Sequence, residues 1–393
     1  MVVGARHVQA VSAIGFTVAM VTKNWMRESS LSANVDRFEA ARRVLAEAIA
    51  ARTFPGCAFG VLAGGQIQLV GGAGRFTYQD EAPAVTAETV YDVASLTKVV
   101  ATTAAAMLLL ERGKMDLETP LGNLLPDFVA GRDEGDPARR LKLRHLLAHN
   151  SGLPGYVAFF RTSSTPEALM QACFALALEA EPEMRAEYSD PGFILLGRAL
   201  EVLAGEDLGK WVSREVFQPL AMGRTGFCPQ IADRAGIPPT EIDSTLRHRQ
   251  IQGEVQDENA WVLGGTAGHA GLFSSVPDLL RFAGEILRSE NGDGKAFVQQ
   301  RTLELFAQRQ LPMGSWRALG WDTPSEKSSS GRYFSQRSIG HLGYSGCSLW
   351  IDLEKAIAVV LLTNRTWPDR GAEAARLIRE VRPAFHDAVV TCL

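Results

Sequence analysis

Ser95 and Lys98 stand three residues apart in Y-D-V-A-S-L-T-K (91–98), at the head of an alanine- and leucine-rich run. On a helix, positions i and i+3 are neighbours with Cβ atoms roughly 5–6 Å apart, so a lysine there can hydrogen-bond a serine hydroxyl. A lysine that has lost its own proton can take the serine's, and burial lowers a lysine pKa toward that state. The downstream run V-V-A-T-T-A-A-A-M-L-L-L has almost no polar face. That predicts a helix buried nearly all round, with a partly desolvated lysine at its start. The pair then reads as a nucleophile with its own base. A capping serine followed by a surface lysine is the plainer alternative, and this stretch alone leaves both open.

Two more stretches carry residue types of this kind. The first is Tyr188-Ser189-Asp190. A positive neighbour favours a phenolate, so beside Lys98 the Tyr188 phenol is expected to titrate below its ordinary value and act as general base or proton shuttle. Ser189 or Asp190 also suits the N-cap of a helix starting at Pro191. The second is G-H-L-G-Y-S-G (340–346), which leads directly into S-L-W-I-D. Its glycines let backbone approach a ligand closely. His341 offers a donor at the strand's mouth, and free N–H groups there can stabilise an oxyanion. In isolation the same residues read as a glycine-rich turn.

In chain order, S-L-T-K, Y-S-D and H-L-G resemble the three motifs of the serine β-lactamase and penicillin-binding-protein superfamily. The separations, about ninety and then about one hundred and fifty residues, are similar to those of class C β-lactamase-related serine hydrolases. That group includes family VIII esterases, D-aminopeptidases and DD-carboxypeptidases. Two further stretches look like it: L-R-H-L-L-A-H-N-S-G-L-P (143–154) and D-E-N-A-W-V-L-G-G-T-A-G-H-A-G-L-F-S-S (257–275). The resemblance spans roughly residues 35–385.

It implies that Ser95 is the acylated nucleophile, Lys98 its activating partner and Tyr188 the proton exchanger. The N–H groups of Ser95 and Tyr344 match the oxyanion hole, and His341 occupies the place of the third-motif lysine. Asp190, His341, Gly343 and Tyr344 are the expected substrate-binding residues. Two departures stand out: Asp190 replaces the usual asparagine, and His-Leu-Gly replaces Lys-Thr-Gly. They remove an amide donor, a permanent cation and a hydroxyl that would dock a carboxylate, whose burial without them is costly. The expected activity is therefore an esterase or amidase on small neutral acyl substrates, working without a cofactor and with weak or no β-lactam turnover. A DD-carboxypeptidase, a D-aminopeptidase or a weak β-lactamase is the alternative. A silent penicillin-binding-like module would be marked by loss of Ser95, Lys98 or Tyr188, and all three are present.

The elements that must position these residues are legible in outline. Apolar residues at Val35, Phe38, Val44, Leu45 and Ile49 predict an amphipathic helix over 33–52. C-A-F-G-V-L-A, a Gly-Gly turn and Q-I-Q-L-V then read as a strand pair. Near the other end S-L-W-I-D-L, the turn E-K and A-I-A-V-V-L-L-T read as another pair, followed by a helix from Ala372 to about Val381. Between them lie helical signals at 96–112, 141–149, 166–180, 192–204, 207–217 and 277–289, with 323–332 as a flexible excursion. The fold class expected is α/β (α+β), β-lactamase/transpeptidase-like. One antiparallel sheet comes from both termini and is flanked by helices (about 31–92 and 336–390), beside a mostly helical lobe (about 93–335). Together these form one catalytic domain over 31–390, after a leader or disordered segment at 1–30.

Rival chemistries find less support. His145 and His149 form H-L-L-A-H, but the metalloprotease pattern needs a glutamate where Leu146 stands. His269, among glycines, reads equally as a cleft residue or a structural hydrogen bonder. The chain holds no G-x-S-x-G, P-loop or G-x-G-x-x-G. A net charge of −4 gives no basic footprint for nucleic acid. The partner expected is a small ester, amide or peptide-like substrate. Five scattered cysteines without a C-x-x-C suit reduced thiols and a cytoplasmic location. Val8–Thr22 carries no charge but is diluted by polar residues, so it reads as an uncleaved, dispensable leader in preference to an export signal, with export the alternative if residues 1–25 act as one, and no segment reads as a stable membrane span. Trp261, Trp316, Trp321 and Trp350 are candidates for either pocket wall or core.

Overall fold

Two tight turns bring the chain's ends into one sheet. The computed structural model describes residues 37–393, so the expectations for Val8–Thr22 and for 1–30 lie outside the described residues. Strand β1 (Gly56–Ala63) turns at Gly64 and Gly65, both at positive φ, into β2 (Gln66–Gly74). That conformation is open to glycine and matches the twist of a hairpin. At the other end come β3 (Ser338–Leu342), β4 (Ser348–Asp352) and β5 (Ile357–Thr363). Asp352 holds the β4–β5 turn by accepting the N–H groups of Glu354 and Lys355. The order is β2-β1-β5-β4-β3, and the pairings along it are antiparallel, so the front hairpin and the back meander close along β1 and β5, with Cys57 opposite Thr363.

The sheet is covered on both faces, which is why β1 and β5 read as nearly continuous apolar runs. One face, with Phe59, Val61, Trp350, Val359 and Leu361, packs under α1 (Glu39–Ala50) and the last helix. The other face, with Ala58, Leu62, Leu349, Ile351 and Val360, merges with the core of the helical lobe.

The helices that position the site are α2 (Ala104–Glu111), α3 (Leu143–Leu147), α4 (Asp190–Ala204), α5 (Val276–Glu290) and α6 (Ala372–Val390). Helix α5 lies against β1 so closely that a Cβ on Gly60 would sit 2.4 Å from Val276 Cγ1. The segment 93–335 therefore does not form the helical lobe alone, because it also sends one helix back over the sheet.

Several boundaries differ from expectation. Helix α6 continues past Val381 and through Pro383, because Phe385 and Val389 are buried on the sheet and their packing outweighs the lost N–H. The 166–180 signal ends at Phe174, and 141–149 contracts to α3. A helix at Gln300–Ala307 was not expected. Segment 323–332 is tethered: Trp350 Nε1 donates to Ser329 Oγ at 3.2 Å, and His386 Nδ1 donates to the Ser329 carbonyl at 2.8 Å. Among the described residues one helical run, Ala94–Glu111, is long and apolar enough to cross a membrane, and it is largely buried inside the protein.

Candidate active site

The run headed by Ser95 is composite. After the short strand Tyr91–Asp92, paired with Leu272–Ser274, the chain makes a 3₁₀ turn (Ala94–Leu96). A π-helical stretch (Lys98–Thr103) follows and then α2. Ser95 does not cap this run. Asp92 braces the entry to the turn, accepting the Ala94 N–H on Oδ1 at 2.8 Å and the Gln256 N–H on Oδ2 at 2.7 Å. Ala94 is held at φ +48°, a strained conformation for a residue with a Cβ, and this sets the following serine at the start of the helix. Thr97 locks the turn by donating to the Ala94 carbonyl and accepting the Leu272 N–H.

Lys98 is fully buried, further than the partial desolvation that the apolar run predicts. Its Nζ donates to Ser95 Oγ at 3.1 Å, to Asp190 Oδ1 at 2.7 Å and to the His269 carbonyl at 3.0 Å. Burial pulls the Lys98 pKa below its ordinary value, while the Asp190 carboxylate pulls it back up. Asp190 is therefore the lysine's counterion rather than a free group awaiting substrate. Ser189 makes this possible: its Oγ caps α4 by accepting the Gly192 N–H at 3.0 Å, which leaves Asp190 free to face Lys98.

Tyr188 donates to Ser95 Oγ at 2.7 Å. Its ring faces Lys98 Nζ at 4.7 Å and lies 4.8 Å from the His149 ring, which stacks in turn on Phe193. His149 Nδ1 accepts the Ser189 N–H at 2.9 Å, tying the tyrosine's neighbour to α3's end. The titration runs opposite to expectation. Withdrawal from water, with the Asp190 charge beside it, pushes the Tyr188 phenol well above its usual pKa. Tyr188 is a neutral donor in this site.

His341 is also corrected. It is 2% exposed, and its Nδ1 lies 2.8 Å from the Leu342 carbonyl, which can only accept. Nδ1 thus carries the proton, and Nε2 offers a lone pair rather than the expected donor. Burial lowers its pKa to about 4, so the imidazole is neutral. Gly343 is buried and its N–H donates to the Cys347 carbonyl at 2.8 Å. A Cβ there would come within 2.5 Å of the Val93 carbonyl, so Gly343 lets the β3–β4 turn approach the loop that carries Ser95. Tyr344 projects into solvent, 52% exposed, under the Arg365 guanidinium. Its N–H has no acceptor among the described residues. The Ser95 N–H belongs to a helix's first turn, where N–H groups lack intrahelical acceptors.

Motif reading missed two features of this cleft. Arg317 lies 5.3 Å from the Tyr188 ring centroid and pairs with Asp322. Asp257 bonds His269 Nε2 at 2.9 Å, steadying the loop whose carbonyl receives Lys98. Arg317 carries no local signal, whereas Asp257 and His269 stood in a stretch already singled out. His145 and His149 take separate partners, Glu183 and Ser189, and among the described residues no cluster could hold a metal ion. Trp321 and Trp350 are core, while Trp261 and Trp316 are exposed.

The beta-lactamase family model matches residues 41–382. The chain belongs to the beta-lactamase family. Proteins similar to it carry several activities in their names. The N-acetylmuramyl-L-alanine amidase of Bacillus subtilis (strain 168) is 28% identical over 310 residues, covering 70% of this chain and 68% of that protein. A putative D-alanyl-D-alanine carboxypeptidase of Salmonella agona (strain SL483) is 28% identical over 313 residues, covering 71% and 70%. EstCE1, a hydrolase with promiscuous acyltransferase activity, superposes with a TM-score of 0.70 over 89% of this chain and 99% of its own, at 24% identity. The octameric penicillin-binding protein homologue of Pyrococcus abyssi gives 0.66 at 20% identity, over 86% and 76%. These family folds share the mixed α/β architecture described above.

Proposed function

We propose that the protein is a serine hydrolase that passes an acyl group through Ser95, with small neutral esters or amides as its substrates. The observation that carries this reading is the convergence of Lys98 Nζ (3.1 Å) and Tyr188 Oη (2.7 Å) on Ser95 Oγ. Lys98 in its neutral form keeps two N–H bonds, to Asp190 and to the His269 carbonyl, and turns its lone pair to the serine. Ser95 Oγ bonds to the substrate carbonyl carbon as its proton moves to Lys98, and the π pair moves onto the carbonyl oxygen between the Ser95 and Tyr344 N–H groups. Tyr188, a neutral phenol, hands its proton to the leaving group and is refilled from Lys98. Water then attacks the ester by the same steps reversed. The neutral imidazole of His341 and the engagement of Asp190 with Lys98 leave two family positions without a carboxylate dock, which favours neutral substrates. Unpaired thiols support a reducing, cytoplasmic setting.

A second reading, peptide cleavage beside a terminal carboxylate, draws on Arg317 at the Tyr188 ring and on the names of the amidase and carboxypeptidase relatives. A panel of p-nitrophenyl butyrate, nitrocefin and a D-Ala-D-Ala peptide separates them. We expect kcat/KM for the ester to exceed that for nitrocefin by at least about 100-fold, on the order of one missing charged hydrogen bond or more. Faster nitrocefin or peptide turnover would overturn the preference for neutral substrates.

The mechanism also sets a pH dependence. kcat/KM rises as pH climbs through the Lys98 pKa, because the free amine is the base. Asp190 favours the ammonium, so Asp190→Asn lowers that pKa and moves the acid limb to lower pH, by about 1–2 units. A limb that stays put or moves to higher pH in the variant's kcat/KM profile would contradict the assignment.

A further inference from the structure

Arg382 lies within α6, in R-E-V-R-P-A-F-H-D, and its side chain runs inward, 6% exposed. Its Nη2 donates to the carbonyls of Gly343 at 2.6 Å and Cys347 at 2.9 Å, and its Nε donates to the Gly346 carbonyl at 3.1 Å. Its partners are thus neutral carbonyls. Burial lowers its pKa only to about 10, so it is a cation at neutral pH.

All three carbonyls belong to the β3–β4 turn, and one of them matters most. The Gly343 carbonyl and the Tyr344 N–H are the two ends of a single peptide unit. That carbonyl oxygen accepts the Gly346 N–H at 3.0 Å as well as Arg382 Nη2, so two donors converge on it and one is charged. Hydrogen bonds in series polarise one another, and charge-assisted ones do so most. Drawing electron density onto this oxygen makes the Tyr344 N–H a stronger donor. Gly346, at φ +102°, lets the turn sit against β5 where a Cβ would collide with Thr363 Oγ1 at 2.0 Å.

We infer that Arg382 is a positioning residue for the oxyanion hole: it fixes the 343–344 peptide and polarises it, so that the Tyr344 N–H holds a developing oxyanion more tightly than a substrate carbonyl. The inference rests on the acyl-transfer reading above. A donor that gains strength with negative charge acts on the transition state and little on ground-state binding.

The test compares Arg382→Met and Arg382→Lys with the wild type on p-nitrophenyl butyrate and with phenylboronic acid, whose tetrahedral adduct on Ser95 mimics the anion. In Arg382→Met, kcat falls about 10- to 50-fold, less than the roughly 10²–10³ typical of deleting a donor outright. KM stays within about twofold, and boronate affinity falls in step with kcat/KM, as expected for a transition-state mimic. Arg382→Lys, which keeps the charge but fewer bonds, lies between. A folded Arg382→Met with unchanged kcat and boronate affinity would overturn the inference. If that variant does not fold, unchanged values in Arg382→Lys overturn it instead. Ser95→Ala distinguishes the two levels: activity surviving there sinks the acyl-transfer reading, whereas a dead Ser95→Ala beside fully active Arg382 variants sinks only this one.

Discussion

Ser95→Ala lowers ester turnover by about 10⁴- to 10⁶-fold, to near the solvent background, and leaves the fold intact. The size follows from the site's lack of a substitute hydroxyl. Thr97 is fully buried and its Oγ1 is committed to the Ala94 carbonyl and the Leu272 N–H, while Thr102 donates to the Gly268 carbonyl at 2.6 Å. Neither can turn to a carbonyl in the cleft. The fold tolerates the change because Lys98 keeps Asp190 and the His269 carbonyl as acceptors, and the loss, which includes the bond Tyr188 donated, amounts to about 1–3 kcal/mol. Stopped-flow release of p-nitrophenolate checks it. The wild type gives a burst where deacylation limits, and the variant gives none. Urea midpoints verify the fold, and wild-type turnover in the variant would remove Ser95 from the mechanism.

Much of this architecture is local in the sequence, and that part was legible. The Gly64-Gly65 hairpin, the apolar run of β5 and the Ser189 cap each follow from residues within a few positions. So does burial of Lys98, from the unbroken apolar run behind it. The errors share one physical origin: burial and the hydrogen-bond partners a side chain actually meets decide what residue type and spacing alone suggest. Tyr188 was expected to be acidic because of Lys98, yet Asp190 and withdrawal from water decide its pKa. Ser95 looked like a cap from its place at the helix start, but its Oγ instead accepts from Lys98 and Tyr188. Arg382 meets Gly343 across 39 positions and Arg317 meets the Tyr188 ring from still further along the chain, and no spacing rule connects them to the site. His341 was assigned a donor at the strand's mouth, but the carbonyl next in sequence fixes its proton on the other nitrogen.

Lys98→Met separates chemistry from structure most sharply. Methionine fills nearly the same buried volume, so the apolar packing around Val99 and Phe193 survives, but the base is gone. We expect kcat to fall by about 10³–10⁴, the upper range for general-base catalysis, with KM changed little. The single variant is also destabilised, because the Asp190 carboxylate, its side chain 16% exposed, loses the cation 2.7 Å away. Partial solvent access holds that loss below the ~3–5 kcal/mol of a wholly buried pair broken on one side. The double variant Lys98→Met/Asp190→Asn removes the orphaned charge and should recover most of the stability without recovering activity. Asp190→Asn alone, by contrast, keeps the amine and stays active, with its pH profile displaced. Urea titrations and steady-state rates on the three proteins decide the matter. A Lys98→Met enzyme that regains turnover when Asp190 is neutralised would show that the lysine's contribution is relief of the aspartate's charge, and the proton would have to be assigned to another group. The geometry argues against that outcome: of the groups around Ser95 Oγ, Lys98 is the one whose pKa burial moves toward neutrality, while Tyr188 is driven away from it.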